Sequence, residues 1–277
     1  MKITRRQFFK SVSIGGAAAL VASYPVVIER FTILVNTYSI PLPDLPSAFE
    51  GFTIVHLSDL HYGRLMPLSI LKSVIQRANS IPRDMIACTG DYVIAHRETE
   101  EIDTIWPYLS QLHASDGVYS TLGNHDYTAD FQRSLYWLEK SGQNVLHRSA
   151  AIQRGDQRLW IGGAGDLDKS ILGIDQAFNG VPESDCKILL AHNPDSADTH
   201  FKTRVSLMLC GHTHGGQIVL PVIGPLWLPV RNRRYASGFV ISENTRLFIS
   251  RGIGTASFPL RINCYPEIAV LQLTSRA

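Results

Sequence analysis

Short apolar runs recur along the chain, and five of them stop at a polar motif. Residues 52–58 run into Asp59-Leu60-His61, 84–89 into Gly90-Asp91, and 118–122 into Gly123-Asn124-His125-Asp126. Residues 187–191 run into His192-Asn193, and 206–210 into Gly211-His212-Thr213-His214. Runs this short and this apolar read as strands buried on both faces. The polar residues that follow gather where strands end, and seven are candidate metal ligands: Asp59, His61, Asp91, Asn124, His192, His212 and His214.

Helix periodicity stands between the motif-bearing strands. Leu68, Leu71, Val74 and Ile75 share one face over 68–78, and similar spacing recurs over 102–112 and 131–138. Residues 31–40 alternate apolar and polar positions, as a half-buried strand at a sheet edge does, before a proline-rich turn over 41–46. After Asn144 the strands shorten and Gly becomes frequent, with strands expected at 158–161, 187–191, 206–209, 217–220, 238–241, 246–250 and 267–273. This order predicts an α/β fold: a four-layer αββα sandwich of two mixed β-sheets face to face, flanked by helices. Reactive groups then collect at one edge, outside the carboxyl ends of the strands. With 277 residues and 45% hydrophobic content, the chain can bury one large core.

The first 30 residues have a different character. Thr4-Arg5-Arg6-Gln7-Phe8-Phe9-Lys10 leads into an acid-free stretch over 11–22 that is rich in Gly and Ala, and this resembles a twin-arginine export signal. Gly15-Gly16 argues against a buried helix, and Pro25 breaks the stretch short of the roughly 20 residues of a spanning helix. Val21-Ala22-Ser23 offers small residues for cleavage, with an uncleaved anchor as the alternative. The expected organisation is a signal segment over 1–23 and one domain over 24–277. Export by the twin-arginine machinery would place the protein in the periplasm or at the outer face of the cytoplasmic membrane. That route carries folded proteins, so the resemblance also implies metal loading in the cytoplasm.

The 26 Lys and Arg against 24 Asp and Glu give +2, and loss of Lys2, Arg5, Arg6 and Lys10 with the signal turns this to −2. Without a positive field a chain does not blanket a nucleic-acid backbone, so nucleic acid ranks low among partners. None of the four cysteines forms a Cys-x-x-Cys pair; Cys88 and Cys210 sit in apolar runs and read as buried thiols, while a disulfide stays open for an exported chain.

Asp59 and His61 are two apart on a segment read as extended, which sends both side chains to one face; His212 and His214 repeat the spacing. Mixed nitrogen and oxygen donors of this kind select divalent transition metals. The series Asp-x-His, Gly-Asp, Gly-Asn-His-Asp, His and Gly-His-x-His, in this order, resembles the calcineurin-like metallophosphoesterase superfamily over nearly everything from Phe52 onward. Ala191-His192-Asn193-Pro194-Asp195 and Gly211-His212-Thr213-His214-Gly215-Gly216-Gln217 are similar to exported bacterial phosphodiesterases of the YaeI and YkuE type.

The resemblance implies two divalent cations, Mn, Fe, Zn or Co, one on Asp59, His61, Asp91 and His214 and the other on Asp91, Asn124, His192 and His212. Asp91 would bridge them, and a bridging hydroxide would attack phosphorus in line. The neutral Asn124 carbonyl completes coordination while leaving the centre positive toward a phosphoester substrate. His125 would contact the phosphate and assist the leaving group, with Asp126 orienting it. Protein phosphatases of the superfamily read Gly-Asp-x-x-Asp-Arg-Gly; here Gly90-Asp91-Tyr92-Val93-Ile94-Ala95-His96 lacks the second Asp and the Arg, which argues against phosphoprotein substrates.

Phosphodiester hydrolysis leads. The alternatives are a pyrophosphatase on a nucleotide-linked lipid, a phosphomonoesterase, and a metal-stabilised binding protein without turnover. Arg64, in the loop expected over the metals, is a candidate substrate contact. The segment 221–235, apolar with Arg231, Arg233 and Arg234 at its end, suits either a lipid-linked or headgroup phosphodiester with peripheral membrane contact, or a packed loop with its arginines in water. His56, His96, His113, His147 and His200 read as structural or surface residues, Asn193 and Asp195 as caps of the turn at Pro194, and Arg251 or Arg261 as a partner for Glu267.

Overall fold

Two mixed sheets stack face to face, as the order of apolar runs predicts. The computed structural model describes Arg5 and residues 23–94, 99–256 and 258–275. The expected export signal over 1–23 lies outside these residues, Arg5 and Ser23 excepted, and so does His96. In chain order come β1 (Leu34–Pro41), β2 (Thr53–Leu57), α1 (Leu68–Ser80), β3 (Met85–Cys88), α2 (Thr99–Leu109), β4 (Val118–Ser120) and α3 (Asn124–Lys140). Then follow β5 (Ser149–Arg154), β6 (Gln157–Gly163), the short α4 (Ile174–Ala177), β7 (Cys186–Leu190), β8 (Leu207–Cys210), β9 (Val219–Leu220), β10 (Gly224–Pro225), β11 (Gly238–Ile241), β12 (Arg246–Ile249) and β13 (Glu267–Thr274).

One sheet has the order β1-β13-β2-β3-β4 and the other β11-β12-β8-β7-β6-β5. In each, the motif-bearing strands run parallel: β2 beside β3 beside β4, and β7 beside β8. Strand alternation assigns the faces. Ile54, Met85, Ile188, Leu190, Leu209 and Phe248 fill the space between the sheets. Val55, Leu57 and Ile86 turn outward onto Leu71 and Ile75 of α1 and Ile105 and Trp106 of α2. On the far side Leu189, Met208 and Ile249 pack beneath α4 and Tyr235. All the parallel ends therefore open on one edge of the sandwich.

The edge strand expected over 31–40 runs over Leu34–Pro41, after a 3₁₀ turn at Glu29–Phe31, and β1 is outermost in its sheet. Other elements depart from the periodicity. α3 begins at Asn124 and is broken at Asp130 (φ −165°, ψ 102°), whose carboxylate accepts the Arg133 N–H at 2.9 Å and starts the helix anew. The apolar spacing over 131–138 marks only the part after this break. β9 is two residues long and pairs with β10 in a ribbon of its own. The four cysteines are free and buried. No helix among the described residues is long and apolar enough to cross a membrane.

Phe248 is fully buried between the sheets, its ring 4.8 Å from Tyr38 and 6.0 Å from His56. Phe248→Ala should lower stability by about 3–5 kcal/mol, read as a lower urea midpoint at unchanged slope. A loss below about 1 kcal/mol would show that the inter-sheet space closes around the gap.

Candidate metal centre

Every candidate ligand stands two to four residues past the end of β2, β3, β4, β7 or β8. Asp59 (φ 54°), His61 (φ 49°), Asp91 (φ 56°), His212 (φ 69°) and His214 (φ 52°) all adopt left-handed backbone. The chain therefore leaves the extended state before it reaches them. Asp59 and His61 do converge, through these reversals and not by the strand alternation expected of them. Each such residue costs roughly 1–2 kcal/mol relative to ordinary backbone, and strain of this kind persists where the surroundings over-determine it.

Those surroundings are hydrogen bonds between the loops. The Asp59 N–H donates to the Gly90 carbonyl and the His61 N–H to the Asp91 carbonyl, both at 3.0 Å. Between sheets, the His212 N–H donates to the Asp59 carboxylate at 3.0 and 3.1 Å. Glycines make room for this approach: a Cβ on Gly211 would strike Asp59 Oδ2, and one on Gly252 (φ 68°) would lie 2.7 Å from Asp59 Cβ.

The donor atoms converge around Asp91. His61 Nε2 and His214 Nε2 lie 3.0 Å apart, with Asp59 Oδ1 at 3.9 and 3.3 Å. Asp91 Oδ2 lies 3.5 Å from His61 Nε2 and 3.1 Å from His192 Nε2. Three groups, Asp59-His61-His214, His61-Asp91-His125 and Asp91-His192-His212, each bring one ligand atom per residue within 4.8 Å of the others. Asn124 Oδ1 is buried with no hydrogen-bond partner. Facing lone pairs and an orphaned carbonyl oxygen in a buried acidic crevice are what divalent cations satisfy, so this donor set fits them.

Protons prepare the same set. Burial pushes His61 down to about 3 and His212 to about 4, and burial together with His61 and Arg261 holds His214 well below the usual range, so all three are neutral imidazoles. Burial opposes a charge on His192, yet the adjoining Asp91 carboxylate raises it to about 10. Its Nδ1–H donates to the Thr89 carbonyl at 2.8 Å, which leaves the Nε2 proton between Asp91 Oδ2 and His212 Nδ1, at 3.1 and 3.2 Å. His212 Nε2–H donates to the Pro229 carbonyl at 3.1 Å, turning Nδ1 inward. Burial opposes ionisation of Asp91 too, but His192, His125 and His61 outweigh it and hold its pKa well below the usual carboxylate range.

His125 sits beside these groups, its ring edge-on to His61 at 4.6 Å and its backbone N–H on Asp91 Oδ1 at 2.9 Å. Asp126 does something other than orient it. Its carboxylate accepts the N–H groups of Asp91 at 2.7 Å, Tyr92 at 2.9 Å and Gly123 at 2.9 Å, so it ties the β3 loop to the β4 loop. Arg64 is exposed on the turn after Tyr62, outside the cleft lining. Asn193 caps the turn at Pro194 as expected, accepting the Asp195 N–H, whereas Asp195 accepts the N–H groups of Arg231 and Asn232 and pins the 221–235 segment. Glu267 takes the Arg251 backbone N–H with Asn36 and Tyr38, while the buried Arg261 donates to the carbonyls of Arg251, Gly252, Gly254 and Cys264 behind His214.

Residues 52–216 match the model of the calcineurin-like phosphoesterase family, more than half of the chain. The chain belongs to that family. Among its relatives, the metallophosphoesterase YkuE of Bacillus subtilis is 32% identical over 99% of both chains. Phosphodiesterase YaeI of Escherichia coli is also 32% identical, over 80% of this chain and 82% of its own. The solved structure of TT1561 of Thermus thermophilus aligns with a TM-score of 0.49 and 13% identity over 73% of this chain and 90% of that one.

In this metallophosphoesterase a cleft of about 260 Å³ opens over Asp91, Asn124, His125, His212 and His214. Its walls come from residues without a motif: Ile218, Leu226, Trp227, Pro229, Ala256 and Phe258. The apolar, proline-rich composition of 221–229 was the available signal. The Phe258 wall left none.

A cation held by this donor set would displace the His192 proton, and at lower pH one on Asp59, which burial raises to about 6. Metal affinity should therefore rise with pH across the window from about 6 to about 10, with protons released on binding. Calorimetric Mn²⁺ titrations in buffers of different ionisation heat check this; a pH-independent affinity would contradict it. Asp126→Asn should weaken metal retention or activity by about 10–100-fold, with equal losses on good and poor leaving groups. A loss confined to poor ones would return Asp126 to the proton-transfer machinery.

Proposed function

We propose that the chain hydrolyses phosphodiesters at a dinuclear divalent-metal centre. One ion would be held by Asp59, His61, Asp91 and His214, the other by Asp91, Asn124, His192 and His212. The observation that carries this reading is the convergence on Asp91 of neutral imidazole nitrogens, a second carboxylate and an orphaned amide oxygen. When bound, the two cations would supply Lewis acidity toward the phosphoryl oxygens and an acidified water.

The chain's own residues do the remainder. Left-handed backbone and inter-loop hydrogen bonds fix Asp59 and Asp91 before a cation arrives, so little reorganisation accompanies binding. His125, part-buried on the cleft wall and held through its N–H on Asp91, is placed to hydrogen-bond a phosphoryl oxygen and pass a proton to the leaving alkoxide. Among the described residues no Lys or Arg lines the cleft. A phosphomonoester dianion would call for a guanidinium clamp, whereas a diester carries one charge and a second organic group that the apolar walls accommodate. YaeI, named a phosphodiesterase, supports the same choice. Export by the twin-arginine route to the periplasm or outer membrane face belongs to this proposal, supported by Arg5-Arg6 and the acid-free stretch behind them.

Comparison of bis-p-nitrophenyl phosphate with p-nitrophenyl phosphate, with Mn²⁺ and after chelation, tests the reading. Activity should favour the diester and vanish on chelation; turnover indifferent to chelator overturns it. His125→Ala should cost about 10²–10⁴-fold on diesters with poor leaving groups and far less on p-nitrophenyl esters. Equal losses would leave His125 only a positioning role.

A further inference from the structure

Nine of the twelve large apolar side chains exposed among the described residues belong to one connected strip beside the metal cleft. Tyr24, Val26, Val27 and Ile28 supply its first part, at the start of the described fold. Val222, Ile223, Leu226 and Trp227 supply the second, on and after the β9–β10 ribbon, and Phe258 stands on the loop between. Hydrogen bonds join the three segments. Pro25 accepts the Arg261 N–H at 3.1 Å, Tyr24 and Tyr265 share hydroxyls at 2.7 Å, and Arg30 donates to Pro259 at 3.0 Å. Val219 donates to Ile262 at 2.9 Å and Gln217 to Phe258 at 3.1 Å. Leu226, Trp227 and Phe258 belong to the cleft wall as well, so the strip reaches the pocket lined by the candidate metal ligands.

The ribbon tip is built against water. Val222 is fully exposed, at 108%, and holds φ 70°, a conformation that a β-branched residue rarely adopts. Asn or Gly would suit an aqueous turn on both counts. Basic side chains flank the apolar ones: Arg231, Arg233 and Arg234 are exposed just past the ribbon, and Arg233 reaches back to the Pro225 carbonyl at 3.3 Å. In sequence, the acid-free apolar stretch over 11–22 directly precedes the strip's first residues.

We propose that the strip seats on a lipid bilayer and that the centre takes the phosphodiester headgroup of a membrane lipid, led into the cleft past Leu226, Trp227 and Phe258. An apolar surface with a guanidinium border matches an acyl region beneath anionic headgroups. The chemistry rests on the phosphodiesterase reading; the docking rests on the strip alone. In the reaction water adds its oxygen to phosphorus, one phosphorus–oxygen ester bond breaks, and the departing alcohol takes a proton.

The test uses the full chain loaded with Mn²⁺ and vesicles of phosphatidylglycerol and phosphatidylethanolamine carrying brominated acyl chains. Trp227 is 63% exposed while Trp106 is buried and Trp137 and Trp160 are part-buried, so bromine quenching reports the strip. Parent protein should be quenched and should release headgroup from the vesicles, as its phosphomonoester or as its free alcohol. Val222→Asp/Ile223→Asp, at positions outside the cleft wall, should lose the quenching and about tenfold of lipid hydrolysis, with kcat/KM on bis-p-nitrophenyl phosphate kept within about twofold. That last activity also shows the variant to be folded. Equal quenching of parent and variant, or a strip covered by a second copy that ignores vesicles, overturns the docking. Quenching without headgroup release overturns the lipid substrate. Quenching without bis-p-nitrophenyl phosphate hydrolysis removes the phosphodiesterase reading and leaves the docking standing.

Discussion

The Asp91 carboxylate is the point from which the rest of the centre hangs. Oδ1 accepts the His125 N–H, Oδ2 faces His192 and His61, and the residue's own N–H and carbonyl are held by Asp126 and His61. A buried charge with this many partners is stable only while all of them are present, since removing one leaves an uncompensated group in a low-dielectric interior. Candidate ligands from four further strand ends gather around it. The sandwich is the scaffold that brings those ends to one edge.

Strain and close packing explain how so much polarity fits into so little space. Five left-handed candidate ligand residues turn their side chains toward one another within a few residues of a strand end. Asp59 packs against Gly211 and Gly252, which follow the neighbouring strands β8 and β12 of the other sheet. The buried Arg261 gathers the carbonyls of the loop that holds Gly252 and Gly254.

Sequence reasoning finds what residue type alone decides. Metal donors are rare letters in a fixed order, and the buried runs before them are continuous, so the five motif strands and their polarity at one edge were legible. β5 was not: Ser149-Ala150-Ala151 gives almost no alternation, and its pairing partner β6 supplies the order. The start of α3 was hidden because Asn124, His125 and Asp126 spend their side chains on the site instead of an apolar stripe. Asp126 as a strut between loops depends on three backbone amides, and backbone direction has no letter. The apolar cleft wall uses the residue types of the core, and only position in space separates an exposed Trp227 from a buried Trp106.

The bond from the His212 N–H to the Asp59 carboxylate joins residues 153 positions apart and crosses from one sheet to the other. The first sheet also takes β13, from the far end of the chain, between β1 and β2, so the centre closes only once distant parts of the chain have paired. Neither half alone owns a complete donor set. On the proposed reading, cation capture would therefore report complete assembly: a chain with one sheet misregistered would present only part of the donor set.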